Sequence, residues 1–284
     1  MREPVMITGM GDGIKLQLAE WAGRGKAILC IHGITANCRC WDVVASALSP
    51  EYRVLAMDLR GRGRSDKPTS GYSVEHHCRD ILALLDDLGL KRPVLMGHSL
   101  GAFISLAFAA HYPERVDRII LVDGGGDLSQ EQWDKVFAAI KRPLDRLGKI
   151  FPSADAYVDI MKQPPYIQPW SRALETYYRY EIVVVKGGVS TNIDPVHIAE
   201  ESENVRKMTA ASFYPEIACN VLILRATEGL LAQDDILLPR PVVEKMIREI
   251  SQARYVDIRG VNHYGIIFRP NGERDIAIKR FLEE

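Results

Sequence analysis

Short apolar runs recur along the chain, and each is followed by a segment with helical spacing. Residues 26–31 (Lys-Ala-Ile-Leu-Cys-Ile), 52–57, 93–97, 118–122, 220–225 and 254–258 are too short for helices and rich in β-branched residues. That pattern predicts strands buried on both faces. Residues 5–8 and 14–21 flank a Gly-Met-Gly-Asp-Gly turn and read as two strands of a hairpin. Between the runs, residues 41–48 are amphipathic. A helix opening at Ser73 or Glu75 carries Ile81, Leu82, Leu84, Leu85 and Leu88 at helical spacing and stops at Gly89. Residues 102–110, 241–250 and 273–283 read as further helices. Alternation of this kind predicts an α/β fold, a mostly parallel twisted sheet of about eight strands with helices on both faces.

The rhythm breaks once. Residues 127–215 read mostly as helices interrupted by Pro143, Pro152, Pro164, Pro165, Pro169 and Pro195. So long a segment is expected to fold as a unit of its own. It leaves after one strand and the sheet resumes at the next, so a helical cap over the carboxyl ends of the strands is its natural place. The expected division is a core of residues 1–126 and 216–284 and a cap of residues 127–215.

Composition narrows the class. Hydrophobic residues make up 47% and charged residues 26% of the 284, ordinary for a globular enzyme. Lys+Arg (36) and Asp+Glu (37) nearly cancel to a net charge of -1, which argues against nucleic-acid and membrane partners. Arg60, Arg62 and Arg64 alternate with Gly61 and Gly63 and read as a solvated turn. The five cysteines, Cys30, Cys38, Cys40, Cys78 and Cys219, match no zinc spacing and fit a reduced, cytoplasmic protein. Met1-Arg2-Glu3-Pro4 lacks the apolar run of a signal peptide, and no window reaches the roughly 18 apolar residues of a membrane span.

Candidate chemistry centres on Gly97-His98-Ser99-Leu100-Gly101. A buried strand runs into this pentapeptide and an apolar helix follows it. Gly-x-Ser-x-Gly in that setting presents a serine at the apex of a strained strand-to-helix turn. Ser99 is the candidate nucleophile, and it needs a base to take its proton.

With His32-Gly33 after one strand, Asp58-Leu59-Arg60-Gly61-Arg62-Gly63-Arg64-Ser65-Asp66 after the next, and Asn262-His263 near the end, the chain resembles the α/β-hydrolases with a helical cap. The resemblance covers almost everything outside the cap. It is specific for fold and less so for substrate. It implies a serine hydrolase with His263 as base, since the loop opened by Gly260 brings that residue back over the sheet edge. It also implies an oxyanion hole from the backbone N–H groups of Leu100 and Ile34. His98 is expected to pack inside the turn, and His32 to shape the oxyanion loop. His76, His77, His111 and His197 read as surface or helix-end residues.

The third member departs from the usual pattern of the family, an acid in a Gly-x-x-Asp setting after the strand at 220–225. Here that stretch reads Arg225-Ala226-Thr227-Glu228-Gly229, with Asp234 and Asp235 beyond. Counting forward from the strand favours Glu228. Counting back from His263 favours Asp234 or Asp235. Some members place the acid directly after the strand that follows the nucleophile helix, and there this chain has Asp123 beside Gly124-Gly125-Gly126. Asp123 is preferred, because an acid at a rigid strand end orients an imidazole better than one in a long apolar loop.

The expected activity is hydrolysis of a carboxylic ester or lactone through an acyl-enzyme. Carbon–carbon bond hydrolysis of a ring-fission product and thioester cleavage are alternatives. A ligand sensor with little turnover is the alternative of another class. Haloalkane dehalogenases and epoxide hydrolases carry aspartate where this chain has Ser99. No metal and no organic cofactor is implied. The expected partner is a small ester-like molecule with an apolar part, because residues 127–215 hold Trp133, Phe137, Phe151, Tyr157, Tyr166, Trp170, Tyr177, Tyr178 and Tyr180. Most of these are expected to pack the cap on the core and a minority to face the substrate. Monomer and homodimer both stay open.

Overall fold

The computed structural model describes residues 2–231 and 235–284. Eight strands form one sheet: β1 (Val5–Met10), β2 (Lys15–Trp21), β3 (Ala27–Ile31), β4 (Arg53–Met57), β5 (Val94–His98), β6 (Arg118–Val122), then β9 (Asn220–Ala226) and β10 (Ala253–Ile258). A separate hairpin, β7 (Ile182–Val185) and β8 (Gly188–Thr191), lies between them in sequence. The strand order in the sheet is β1-β2-β4-β3-β5-β6-β9-β10. Pairing is antiparallel for β1–β2 and β2–β4 and parallel for all the rest. Parallel neighbours need crossovers, and helices supply them. Every residue of β5 and β6 is buried, as the unbroken apolar runs require of strands covered on both faces.

The helices are α1 (Asp42–Leu48), α2 (Val74–Asp87), α3 (Leu100–His111), α4 (Gln130–Leu144), α5 (Ala154–Met161), α6 (Arg172–Tyr180), α7 (Pro195–Lys207), α8 (Arg240–Glu249), α9 (Gly265–Phe268) and α10 (Gly272–Glu283). Helix α2 lays Val74, Cys78, Ile81, Leu84 and Leu85 against the core and exposes Glu75, Arg79, Asp86 and Asp87, while Asp80 is buried. Helix α3 is buried from Leu100 to Ala109, so its apolar character extends all round. No helix among the described residues is long and apolar enough to cross a membrane.

Residues 127–215 depart from the expected string of proline-broken helices in two ways. They include the β7–β8 hairpin, which pairs Ile182 with Thr191 and Val185 with Gly188. Pro143 also lies inside α4, and Pro195 opens α7, where its missing N–H has no intrahelical partner to lose. The segment docks through its aromatic residues. Phe151, Tyr157, Tyr166 and Tyr178 share one apolar cluster with Trp41 and with Ile266 and Phe268 of α9.

The charged loop after β4 also differs from expectation. Arg64 is exposed, but Arg60 and Arg62 are buried. Gly61 and Gly63, both at positive φ (74° and 50°), turn the chain so that these side chains point inward. Arg60 grips Asp80 of α2 with two bonds of 2.7 Å each. Arg62 meets Glu201 of α7 at 2.5 Å. His76, His77 and His197 do lie in the first turns of their helices, and His111 ends α3. His77, however, is fully buried against Glu201 at 2.8 Å, and His197 is buried and stacked on the Tyr72 ring at 4.2 Å.

Candidate active site

Parallel strands point their carboxyl ends to one edge, and four loops meet there. They follow β3, β5, β6 and β10 and carry Gly33, Ser99, Asp123 and His263. Ser99 sits between β5 and α3 at φ 56° and ψ -118°. The turn that produces these angles needs the flanking glycines. A Cβ on Gly97 would lie 2.0 Å from the Gly101 oxygen, and one on Gly101 would lie 2.0 Å from the Ile31 oxygen. The Ser99 N–H is tied to the Val122 carbonyl at 3.1 Å. Leu100 opens α3, so its N–H belongs to the first turn, which has no partner within the helix. The positive end of the helix dipole faces the same point.

Among the described residues, two that are not glycine take positive φ, Ser99 at 56° and Asp123 at 47°. Such strain persists only where surroundings enforce it, and it gathers at functional sites. Asp123 follows β6 directly. Its Oδ2 lies 2.7 Å from His263 Nδ1, and its Oδ1 accepts the Ala226 N–H at 3.0 Å. The carboxylate can only accept, so Nδ1 of His263 carries the hydrogen and Nε2 the lone pair. Among the other acids weighed for this position, Glu228 is exposed. Asp235 accepts the N–H groups of Leu230 and Leu231 at 2.6 and 2.7 Å. Asp234 lies outside the described residues. Of the described acids, it is therefore Asp123 that the fold brings to His263.

His98 lines the same cavity but is tied to the loop after β10. Its Nε2–H donates to the His263 carbonyl at 3.0 Å, and the two rings lie 4.3 Å apart. Burial, and then the neighbouring His263, push the His98 imidazole well below its ordinary range. His32 is buried too. Its Nδ1–H donates to the Gly33 carbonyl at 2.7 Å, and its Nε2 accepts the Leu59 N–H at 3.0 Å. Burial pushes it down to about 3. Because the Gly33 carbonyl turns to His32, the Ile34 N–H of the same peptide plane points the opposite way.

These two neutral histidines set an acid sensitivity. An unfolded chain protonates them below about pH 6.5, whereas the folded chain does not. The unfolded state therefore binds more protons as pH falls, and stability present above pH 6.5 drains away below it. The expected slope for each histidine grows from about 0.7 kcal/mol per pH unit at pH 6.5 to roughly 1.4 kcal/mol per pH unit near pH 5. Urea midpoints measured across that window should fall steadily; a flat profile would contradict the neutral state of His32 and His98.

Ser99 and His263 line one cavity with Gly33, Ile34 and Thr35, a space of about 520 Å³ including its open mouth. Val136, Ile140 and Leu144 of α4 and Tyr177 of α6 close it from the inserted segment. Tyr177 is thus one aromatic of that segment that faces the cavity. Tyr157 and Tyr178 do not line it, and the Tyr180 hydroxyl donates to Asp58 at 2.7 Å. Sequence reasoning assigns nothing to Tyr264 and Leu237, which also line the cavity. Adjacency to His263 could have pointed to the first, while nothing in the local sequence marks the second.

The chain has the alpha/beta hydrolase fold, and the family model of that description matches residues 26–154. Among similar proteins, 2-(acetamidomethylene)succinate hydrolase of Mesorhizobium japonicum is 27% identical over 85% of this chain and 83% of that protein. The crystal structure of E-2-(acetamidomethylene)succinate hydrolase superposes with a TM-score of 0.85 at 26% identity, covering 99% of this chain and 100% of that one. An uncharacterized protein of Mycobacterium tuberculosis is 45% identical over 105 residues, 37% of this chain, and the match spans 31% of that relative's length.

Proposed function

We propose that the protein is a serine hydrolase that cleaves a neutral carboxylic ester, or the cyclic ester of a lactone, through an acyl-enzyme. The observation that carries this reading is the shared cavity of Ser99 and His263, with His263 bonded to Asp123 at 2.7 Å. Ser99 Oγ attacks the carbonyl carbon while His263 Nε2 takes its proton. Asp123 keeps the imidazole in the required tautomer and steadies the imidazolium. The N–H groups of Leu100 and Ile34 hold the oxygen as it becomes an anion, each contributing roughly 3 kcal/mol at the transition state. Collapse of the tetrahedral species expels the alcohol, which takes the proton from His263. Water then attacks the acyl-enzyme by the same route, and the carboxylic acid leaves.

The lining supports an uncharged substrate. Among its described residues there is no Lys, Arg, Asp or Glu. The relative from Mesorhizobium japonicum is named for a succinate. Two carboxylates placed in this cavity would lose water without gaining a cation, so that substrate is not carried over.

The test uses p-nitrophenyl butyrate, p-nitrophenyl hemisuccinate, a lactone and a ring-fission dienoate, each with wild type and Ser99→Ala. The expected result is many turnovers on the neutral ester, all lost in Ser99→Ala. The neutral ester should exceed the hemisuccinate in kcat/KM by a factor on the order of 10². A fluorophosphonate should label Ser99. Equal rates in both proteins would remove the serine-hydrolase reading. A single product molecule per chain on every substrate would favour a sensor instead.

A further inference from the structure

The turn Gly33–Ala36, which carries the Ile34 N–H, is held from outside at three successive carbonyls. The Gly33 oxygen accepts from His32 Nδ1 at 2.7 Å and from the Ala36 N–H at 3.0 Å. The Ile34 oxygen accepts from Arg62 Nε at 2.9 Å. The Thr35 oxygen accepts from Arg146 Nη2 at 3.0 Å and from the Tyr177 hydroxyl at 3.4 Å. Three successive peptide planes are therefore fixed, which leaves the φ and ψ of Ile34 and Thr35 no freedom.

Both arginines are buried, and each is paired with a buried glutamate of the inserted segment. Arg62 Nη2 meets Glu201 of α7 at 2.5 Å. Arg146 Nε and Nη2 meet Glu181 at 2.8 and 2.9 Å. Tyr157 also donates to Glu181, and the Arg146 guanidinium donates to the Pro143 carbonyl. Glu201 accepts in addition from His77 of α2 at 2.8 Å. Burial alone would raise the Glu201 carboxyl, but His77 and Arg62 outweigh it and hold it at about 2. Stability is a weak explanation for two such pairs, since well-packed apolar residues often serve at least as well once desolvation is counted. An apolar pair could not donate to a carbonyl. A guanidinium has five donors in a rigid fork, enough to serve a carboxylate and a neighbouring oxygen together.

We propose that Arg62 and Arg146 are positioning residues for the oxyanion hole: His32 holds the plane of the Ile34 N–H through the Gly33 carbonyl, and the arginines, by gripping the Ile34 and Thr35 carbonyls, lock the two planes that follow and so keep that N–H aimed at the carbonyl oxygen bound above Ser99. Glu201, which pairs with Arg62, and Arg146, which Glu181 holds, both belong to residues 127–215, so that alignment depends on the docking of this segment. The proposal rests on the serine-hydrolase reading, and it assigns a chemical consequence to two buried ion pairs that touch no substrate.

Two double variants test it, Arg62→Met with Glu201→Gln, and Arg146→Met with Glu181→Gln. Neither leaves an arginine or glutamate charge unpaired, and each glutamine keeps an oxygen for His77 or Tyr157. Folding is checked by melting temperature and near-UV circular dichroism. Expected for each is a fall in kcat of about tenfold or more on p-nitrophenyl butyrate, with KM changed less than about twofold. A trifluoromethyl ketone, which forms an oxyanion on the serine, should weaken by the same factor, while its methyl ketone counterpart should not. Arg62→Lys and Arg146→Lys, which keep the charge, should recover part of the loss. They carry the test alone if a double variant fails to fold, each then expected to fall below wild type in both kcat and trifluoromethyl ketone affinity. Folded variants with wild-type kcat and wild-type affinity for the trifluoromethyl ketone would overturn the proposal. So would a fall in kcat with that affinity unchanged. Absence of any Ser99-dependent turnover in wild type would instead remove the underlying reading, and the proposal with it.

Discussion

Asp123→Asn should lower kcat by about 10⁴-fold with little change in KM or melting temperature. The size of the effect follows from how Asp123 is held. Its Oδ1 accepts the Ala226 N–H, and its Oδ2 accepts the His263 Nδ1–H. An asparagine must keep its one oxygen toward Ala226 or leave that buried N–H unpaired. Its NH₂ group then faces His263, which can meet it only with a bare Nδ1. The hydrogen moves to Nε2, and the ring loses the lone pair that would take the serine proton. Glu228→Gln and Asp235→Asn should stay within about threefold of wild type, because Glu228 is exposed and Asp235 serves the Leu230 and Leu231 amides. Steady-state kinetics on a p-nitrophenyl ester decides between them. Near-normal turnover in Asp123→Asn with loss in Glu228→Gln would move the acid to the loop after β9.

Ser99→Ala, His263→Ala and the double variant should all lose activity to the same extent, on the order of 10⁶ in kcat, with no further loss on combining them. In the proposed mechanism the nucleophile and the base act as one unit, so removing either would abolish the route that both serve. What survives is the oxyanion hole and the cavity, which can still favour attack by water. Additive losses in the double variant would indicate two independent contributions and would count against a Ser99–His263 pair. His98→Ala is not a substitute for this test, since that ring holds the His263 backbone and its loss would displace the base without removing it.

The sheet was legible because its information is local. Each parallel strand is a run of apolar residues that ends where the chain must turn, and β5 and β6 are buried along their whole length. The turn at Ser99 was legible for a related reason: two glycines and one serine at fixed spacing solve a steric problem that few other sequences can. Choosing Asp123 over the acids after β9 needed the family pattern, because counting along the chain cannot say which carboxylate reaches His263. The charge pairs were not legible at all. Arg62 lies between glycines in a polar loop, and its partner Glu201 stands 139 positions later in the inserted segment. Hydrophobic periodicity reports which face is buried, not which charge answers another. The β7–β8 hairpin does carry a local signal, since Ile182-Val183-Val184-Val185 runs into Lys186-Gly187-Gly188, but it stands within a segment whose prolines and spacing favour helices.

The place of Asp123 at the end of β6 has an evolutionary consequence. In the proposed mechanism Asp123 serves His263, so the loop after β9 has no chemical task. That loop can then lengthen, shorten or change composition by drift without silencing the enzyme. It still reaches the cavity through Leu237, so each such change can retune which acyl chains enter. For directed evolution, residues 227–236 are therefore a segment in which libraries of altered length should keep activity while diversifying selectivity.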